Sequence, residues 1–342
     1  MNKLILDNLN YKITEKTPVW LMRQAGRYMR EYHTIKNKFN SFMEMCKNSD
    51  AVTEITLQPI KKFDFDAAII FSDILLVLDA IDISVEFIAG KGPVVENLES
   101  LKNIKLLPRE LNNKKVKPCY EAIKNIKKEL VDKPLIGFSA APWTLATYYI
   151  ESNITKDLSR IKSFSYKNPK EMDFIVELFS DLISKHLINQ IEAGVDLIQI
   201  FDTHSYQMDY FMHQKYSTRQ VKKISRLVKE KYPNIPIIYY SKNFQFLDKD
   251  VNNYLNCLSL NSNISLKEQK KYFKGSICLQ GNLDPYLLVE GGEYMIKEIK
   301  KILLEMKDNF FIFNLGHGIL PQTPVENVFK LIETVKSFKR KV

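Results

Sequence analysis

The sequence predicts an α/β protein folded as a single (β/α)8 TIM barrel, with an extra β-hairpin near residues 81–93. Eight short runs rich in β-branched and aromatic residues recur along the 342-residue chain. Most of these runs are apolar at nearly every position, as strands buried on both faces of a parallel sheet are. Longer stretches with helical periodicity separate them, and this alternation is typical of the barrel.

The predicted strands follow these runs in chain order. They lie near Val19–Met22, Ala67–Phe71, Leu135–Phe138, Leu197–Ile200, Ile237–Tyr240, Leu255–Leu260, Ser276–Leu279 and Phe310–Phe313. Among the intervening segments, residues 172–194 show amphipathic helical spacing in Phe174, Leu178, Leu182, Leu187 and Ile191. A doubly wound open sheet has a similar alternation and is the competing architecture.

Two segments depart from the simple repeat. Residues 81–93 alternate in polarity and then turn at Gly90-Lys91-Gly92-Pro93, which predicts a hairpin carried on a barrel loop. The sixth strand is weak, because Asn252, Asn253 and Asn256 are poor strand formers, and only the spacing supports it. No linker or low-complexity tract divides the chain, so residues 1–342 are expected to form one domain.

Composition limits the function without choosing a partner. The formal net charge of +10 and the pI near 9.1 suit a polyanionic substrate, nucleic acid or an anionic membrane surface. The lysines come largely as scattered doublets without interleaved aromatic residues, which is typical of a solvated surface. No run approaches the roughly 18 apolar residues of a membrane span, and no signal-peptide pattern is present. We therefore expect a cytoplasmic protein.

The cysteines predict neither a metal site nor disulfide bonds. They are far apart, without a C-x-x-C pair or a histidine at ligand spacing, at Cys46, Cys119, Cys257 and Cys278. Four ordinary thiols and no bound metal are the expectation.

The segment from Pro18 to Tyr28 has the features of an anion-binding loop. Arg23 and Arg27 follow a short apolar run, and arginine grips a carboxylate through two parallel charge-assisted hydrogen bonds. Gly26 argues against a helix interior and for a bend or a close approach of the backbone. The alternative is two surface arginines on a turn.

Polar residues collect directly after the predicted strands, where (β/α)8 barrels keep their active sites. Taken separately, Asp73 could be a helix cap and His317 a structural histidine. Their common placement favours an enzyme. These residues are Arg23, Gln24 and Arg27; Ser72 and Asp73; Ser139 and Tyr148; Asp202, Thr203 and His204; Ser241 and Lys242; Gln280, Gly281 and Asn282; and His317.

Six segments together resemble one known family. They are P-V-W-L-M-R-Q-A-G-R-Y from Pro18, I-I-F-S-D-I-L from Ile69, G-K-G-P from Gly90, G-F-S-A-A-P-W-T-L-A-T-Y from Gly137, L-Q-G-N-L-D-P from Leu279 and N-L-G-H-G-I-L-P from Asn314. In this order, over nearly the whole chain, they resemble the uroporphyrinogen decarboxylase family of tetrapyrrole biosynthesis.

The resemblance implies an activity. Members of the family are (β/α)8 barrels, usually homodimers whose active-site clefts face one another. They are carboxy-lyases of haem and porphyrin biosynthesis, which remove CO2 from the four acetate side chains of uroporphyrinogen III to give coproporphyrinogen III. They need no metal or organic cofactor. The implied partner is therefore a small polycarboxylate tetrapyrrole, with no role for nucleic acid or a membrane.

The resemblance also implies catalytic residues. Asp73 matches the family aspartate that lies under the macrocycle and accepts hydrogen bonds from pyrrole N–H groups. Arg23 and Arg27 match arginines that bind carboxylates, and Arg23 is also a proposed proton donor. Tyr148 matches a position that presents a hydroxyl group to the substrate.

Three further positions are implied to bind substrate. Gln24 would hold the loop or a substrate carboxylate. Thr203 would present a hydroxyl group, and His317 would reach a propionate or acetate. The flanking glycines of His317 suggest a close approach of the backbone.

The chain departs from the family pattern at two loops. Thr203 stands where serine is common, and Ser205-Tyr206 stands where small residues are usual. The segment Ser259 to Asn263 replaces G-L-D-W-T and so lacks a carboxylate and an indole. These changes leave the role of the sixth loop open.

Two other functions are possible. A zinc-dependent corrinoid or thiol methyltransferase of the same superfamily would need thiolate and histidine ligands, and that pattern is missing from the sequence. A basic non-enzymatic protein that binds nucleic acid would explain the net charge but not the polar residues after the strands.

Overall fold

Parallel strands form the centre of the molecule. This computed structural model describes residues 3–88, 91–96, 104–154, 157–242, 247–248 and 250–340. The strands are β1 (Ala68–Ile69), β2 (Val85–Ile88), β3 (Gly92–Val95), β4 (Leu135–Ala140), β5 (Leu197–Asp202), β6 (Ile237–Ser241), β7 (Cys257–Leu260), β8 (Cys278–Leu283) and β9 (Phe311–Leu315).

The sheet order follows the chain order. Seven strands pair side by side as β1-β4-β5-β6-β7-β8-β9, and each pair is parallel. A doubly wound open sheet would reverse its strand order at a switch point, and this sheet does not. The sheet curls as a barrel wall does, so the predicted barrel class is confirmed.

Helices separate successive strands, as expected. They are α1 (Leu4–Leu9), α2 (Arg30–Lys36), α3 (Phe42–Cys46), α4 (Ser49–Lys62), α5 (Leu76–Asp79), α6 (Asn113–Glu129), α7 (Pro142–Glu151), α8 (Ser159–Lys167), α9 (Pro169–Ala193), α10 (Tyr210–His213), α11 (Arg219–Lys231), α12 (Leu266–Tyr272), α13 (Pro285–Glu290), α14 (Gly292–Glu305) and α15 (Val325–Ser337).

Local sequence fixes several of these boundaries. Asn48 accepts a hydrogen bond from Ala51 N and so caps α4, and Ser265 caps α12 through Glu268 N. Helix α9 begins with a proline at its first position and ends at Ala193, and the following residue, Gly194, has a φ of 121° that suits glycine. The amphipathic helix expected at residues 172–194 is present, beginning three residues earlier and ending one residue earlier than predicted.

The first predicted strand, Val19–Met22, is wrong in extent. Val19 forms a single parallel bridge with Phe313. Pro18 has no N–H, and the chain turns after Trp20, where Gln24 N donates to Leu21 O. A continuous ladder of hydrogen bonds between strands therefore cannot extend across these residues.

Residues 18–20 nevertheless join the two edges of the sheet. Phe313 N donates to Pro18 O at 2.8 Å, and on the other side Asp66 N donates to Val19 O at 2.8 Å. The Trp20 indole N–H donates to Gln280 Oε1 at 2.9 Å inside the sheet. This short segment therefore closes the curled sheet between β9 and the start of β1.

The predicted hairpin is present but displaced. β2 and β3 pair antiparallel, from Val85 opposite Val95 to Ile88 opposite Gly92. Gly92 and Pro93 lie in β3, so their prediction as turn residues is wrong. Gly90 lies outside the described residues. The weak sixth strand is confirmed as β7, which contains Cys257–Leu260.

Two apolar layers hold the barrel together. Inside the sheet, Trp20, Ile136, Leu197, Ile238 and other fully buried residues form one cluster. A larger cluster packs the outer faces of the strands against the helices. The strands are thus buried on both faces, and their carboxyl ends are left to carry polar residues. Among the described residues, no helix is long and apolar enough to cross a membrane.

Candidate active site

A cavity of about 1040 Å³ opens at the carboxyl ends of the barrel strands. Its wall comes from the loop after residue 20, the loops after β1, β5, β6 and β9, and the β2–β3 hairpin. Six predicted site residues line it, namely Arg23, Arg27, Asp73, Tyr148, Thr203 and His317. Residues far apart in the sequence therefore share one cavity.

Gln24 does not line the cavity. Its side chain is fully buried, where Nε2 donates to Ala67 O at 3.1 Å and Oε1 accepts from Leu21 N at 3.3 Å. Of its two predicted roles, the amide therefore holds the arginine loop, and it is not placed to bind a substrate carboxylate.

Arg23 has a constrained backbone. Its φ of 60° is in the left-handed region, which is uncommon for a residue with a side chain. The turn that Gln24 N closes on Leu21 O spans Arg23, and the bond from Ile319 N to Met22 O at 2.9 Å holds the preceding residue. Strain of this kind persists where the surroundings determine the conformation. The surroundings thus aim the Arg23 side chain at the cavity.

Arg27 is exposed on the cavity wall, and its backbone is anchored. His33 Nε2 lies 2.8 Å from Arg27 O, and the Tyr28 hydroxyl donates to Gln24 O at 2.7 Å. Gly26 makes no close approach within the chain, since an added Cβ would meet only Arg23 O at an ordinary 3.5 Å. Of the two predicted alternatives the bend is confirmed, because Gly26 lies outside any helix on a bend that Met29 N closes by donating to Gly26 O at 3.0 Å.

Asp73 is half-buried in the cavity wall. Burial raises its pKa from 3.8 to about 6, although a hydrogen bond from Leu75 N and the charge of Arg23 act in the opposite direction. The Leu75 bond measures 2.8 Å and closes a turn before α5, but Asp73 is not the cap of that helix, because Leu75 holds the cap position. One oxygen supports the loop, and the carboxyl group still faces the cavity.

Tyr148 and His204 pack as a pair beside Asp73. Their ring centroids are 5.1 Å apart in a T-shaped arrangement. Burial and the charge of Asp73 raise the pKa of Tyr148, so the phenol stays protonated and can donate a hydrogen bond. Thr203 lines the same wall.

His204 is among the polar residues that follow the predicted strands, and it lines the cavity although the family resemblance gives it no role. It is 7% exposed, and neither ring nitrogen has a hydrogen-bond partner among the described residues. Burial and the charge of Lys242 lower its pKa to about 4. Its position directly after Thr203, at the end of β5, was the available signal.

His317 is held as a neutral imidazole. Nδ1 accepts a hydrogen bond from Gly318 N at 2.8 Å, which leaves the proton on Nε2. Burial, followed by the charges of Arg23 and Lys242, lowers the pKa of His317 to about 3. The ring is therefore uncharged at neutral pH.

The glycines beside His317 are both in close contact, as the sequence suggested. An added Cβ on Gly318 would lie 2.6 Å from Arg23 Cγ, and one on Gly316 would lie 2.8 Å from Ser262 Cα. Asn261 Nδ2 also donates to Gly316 O at 3.3 Å. The divergent sixth loop therefore supports the backbone that carries His317.

The charges on the cavity wall are unbalanced. Four cationic side chains line it, at Arg23, Arg27, Lys36 and Lys242, against one acid, Asp73. Within the part of the chain that the structure describes, none of the four has a carboxylate within 4.0 Å. Burial and the charge of Arg23 lower the pKa of Lys242. Such an arrangement suits a ligand with several negative charges.

A metal site is not evident in the described residues. They contain no group of three or more histidine, cysteine, aspartate or glutamate side chains that could hold a metal ion. The four cysteines are buried, and Cys257 and Cys278 are neighbours in register on β7 and β8, away from the cavity wall. The zinc-dependent alternative therefore has no ligand set in this part of the chain.

Comparison of structures supports the fold. A methyltransferase from Methanosarcina mazei superposes with a TM-score of 0.75, covering 98% of each chain at 18% identity. A B12-independent methionine synthase from Shewanella sp. W3-18-1 superposes with a TM-score of 0.57 at 12% identity, covering 94% of each chain. At these identities the likeness concerns the fold alone.

Comparison of sequences is more specific. The family model for uroporphyrinogen decarboxylase (URO-D) matches residues 1–338. A protein of Wolbachia sp. subsp. Drosophila simulans (strain wRi), named uroporphyrinogen decarboxylase, is 41% identical over 326 residues, covering 94% of each chain. One of the same name from Chelativorans sp. (strain BNC1) is 38% identical over 335 residues, covering 97% of each chain. The chain therefore belongs to the uroporphyrinogen decarboxylase family.

Proposed function

We propose that this protein is a uroporphyrinogen decarboxylase, a carboxy-lyase that converts uroporphyrinogen III to coproporphyrinogen III in porphyrin biosynthesis. The observation that carries the proposal, beside the family, is a cavity of about 1040 Å³ with four unpaired cations and one acid on its described wall. A cyclic tetrapyrrole with eight carboxylates has the size and the charge to fill it.

The chemistry needs an electron sink. Protonation of a pyrrole α-carbon makes the ring cationic, so that the electrons of the breaking C–C bond flow into the ring as CO2 leaves. A proton then reaches the exocyclic methylene carbon, and the ring loses its extra proton. Each acetate thus takes up one proton and releases one CO2. The protein must stabilise the cationic ring and direct the protons.

The wall residues divide these tasks. The Asp73 carboxylate accepts pyrrole N–H bonds and stabilises the ring cation. Arg23 and Arg27 bind carboxylates, and Arg23 is also the proposed proton donor, whose proton must be relayed or assisted because a guanidinium does not deprotonate near neutral pH. The Tyr148 phenol, the Thr203 hydroxyl and the neutral His317 Nε2–H donate further hydrogen bonds. Gln24 positions the arginine loop.

Anaerobic incubation tests this function directly. Uroporphyrinogen III, made by chemical reduction of the porphyrin, is mixed with the purified protein, and the products are separated by their number of carboxyl groups. We expect loss of four carboxyl groups, with no metal or cofactor added. A product that keeps all eight would contradict the proposal, and salt-sensitive binding of nucleic acid would then favour the non-enzymatic alternative.

The assembly and location belong to the same proposal. We propose one catalytic domain, which acts in the cytoplasm as a homodimer and binds neither membrane nor nucleic acid. The outer and inner apolar clusters span strands from β1 to β9, which supports a single domain. A solution mass near twice the 40.0 kDa chain would support the dimer.

Replacement of Arg27 by alanine should mainly weaken substrate binding. One charge-assisted carboxylate contact is lost, so we expect KM to rise about tenfold or more while kcat falls less. Steady-state kinetics measure the split. Arg30→Ala is the matched control, because Arg30 is an exposed arginine of α2 outside the cavity wall. An unchanged KM in Arg27→Ala would remove Arg27 from binding.

The pH dependence of kcat/KM should follow the ionisation of the Asp73 carboxyl group. Its carboxylate is the active form, so kcat/KM should fall as the pH drops through about 6. His204 and His317, with pKa values of about 4 and about 3, stay neutral over this range and cannot produce the fall. Rates measured from pH 5 to 8 test this. A flat profile would contradict the assignment.

A further inference from the structure

Two consecutive residues, Ser205 and Tyr206, begin a short 3-10 helix (Ser205–Gln207) in the loop after β5. Both contact the end of the neighbouring strand, β6. Ser205 Oγ donates to Asp202 O at 2.8 Å, and it also lies 2.7 Å from Ser241 Oγ. Either hydroxyl group can donate the bond between Ser205 and Ser241. The loop after β5 is thereby tied to the last residue of β6.

The second contact involves the next residue on each side. The Lys242 ammonium lies 5.2 Å from the centroid of the Tyr206 ring, within the range of a cation–π interaction. Ser205 thus contacts Ser241, and Tyr206 contacts Lys242. Alanine or glycine at either position could not make these contacts, because neither residue has a hydroxyl group or an aromatic ring.

Lys242 is the residue whose position these contacts control. It lines the cavity with Arg23 and His317, and it is half-buried. Among the described residues, no carboxylate within 4.0 Å holds its ammonium group. A lysine without an acidic partner has a long flexible side chain with many rotamers. The Tyr206 ring restricts those rotamers without neutralising the charge, so the ammonium stays available for an anion.

We propose that Ser205 and Tyr206 are positioning residues that hold the Lys242 ammonium at the cavity, where it binds a carboxylate of the substrate. The inference rests on the proposed function for the identity of that substrate. It also adds Lys242 to the groups that bind substrate.

Binding of uroporphyrin I, the oxidised octacarboxylate that cannot react, tests the proposal apart from catalysis. Fluorescence titration gives its Kd. Lys242→Met should raise Kd about tenfold, since a charge-assisted hydrogen bond is lost. Tyr206→Ala should raise it about threefold, the size of a partly exposed cation–π contact. Tyr206→Phe keeps the ring and should bind as the unaltered protein does.

A double-mutant cycle separates positioning from a general structural effect. In the Lys242→Met background, Tyr206→Ala should have no further effect on Kd, because the ring then has no cation to hold. Phe211→Ala is the control, as Phe211 is an aromatic residue that is 79% exposed and lies outside the cavity wall. It should leave Kd unchanged.

Two results would overturn the inference. One is a Kd that Tyr206→Ala does not change, and the other is an equal rise with and without Lys242. Failure of the proposed function looks different. In that case the protein would bind uroporphyrin without releasing CO2 from the reduced form, and the cycle would still decide the role of Tyr206.

Discussion

Asp73→Asn should lower kcat by about 10²- to 10³-fold and at the same time make the folded protein more stable at neutral pH. The loss of rate follows from the mechanism. An amide has no charge to stabilise the cationic ring, and loss of one electrostatic group aimed at a transition state has an effect of this size. The amide oxygen can still accept the bond from Leu75 N, so the loop keeps its turn.

The gain in stability follows from the direction of the pKa shift. Burial makes the Asp73 carboxyl harder to ionise in the folded chain, with a pKa of about 6 against 3.8. Between these values the folded state binds more protons than the unfolded state, so stability falls as the pH rises through the window. Asparagine does not ionise, so the variant does not bear the free-energy cost of burying a charged carboxylate. The variant should gain at most about 3 kcal/mol above pH 6, and nothing below pH 4.

Denaturant unfolding at pH 4 and pH 8, together with kcat at pH 8, measures both effects. Asp284→Asn is a matched control. Asp284 directly follows β8 and accepts a hydrogen bond from Tyr286 N at 2.8 Å, the same local bond that Asp73 makes, but it is exposed and outside the cavity wall. We expect the control to change neither rate nor stability in this way. A near-normal kcat in Asp73→Asn would remove the carboxylate from the mechanism.

Much of the fold could be predicted because buried parallel strands have a strong local signature. The all-buried run of β4 needs no distant information to be recognised. The closing segment at residues 18–20 is different. Its few bonds go to Phe313 and Asp66, and its length is limited by a turn that depends on the Gln24 amide. These partners are distant in the sequence, so hydrophobic periodicity gives no information about them.

The site could be predicted where its residues directly follow strands, because barrel active sites lie at the carboxyl ends of the strands. Asp73, Thr203 and His317 follow strands and share the cavity. Lys36 could not be predicted in this way, because it belongs to α2, a helix that contributes Tyr32 and Lys36 to the cavity wall. The glycines show the same limit. The sequence predicts the bend at Gly26, but it does not contain the atoms that approach a glycine, such as those of Arg23 at Gly318.

Gly318→Ala should reduce kcat/KM by about 100-fold with little loss of stability. The added methyl group would lie 2.6 Å from Arg23 Cγ and 3.0 Å from Nε, so the arginine side chain must move. It is flexible and can do so at small cost, but its guanidinium then leaves the cavity. A displacement of about 1 Å at a reacting group is enough for a loss of this size.

Gly316→Ala should have the opposite outcome. Its added Cβ would collide with the backbone nitrogen of Ser262 and lie 2.8 Å from Ser262 Cα. Backbone cannot rotate away as a side chain can, so we expect a loss of about 1–3 kcal/mol or more in the free energy of unfolding. Thermal and denaturant unfolding of the two variants measure the contrast between neighbouring positions.

The Gly318 effect should also depend on Arg23. If the methyl group acts by displacing the guanidinium, Gly318→Ala should have no further effect on kcat/KM in an Arg23→Ala background. The cycle therefore distinguishes displacement of Arg23 from a general disturbance of the His317 loop. An equal loss in both backgrounds would show that the loop, and not the arginine, is what the glycine protects.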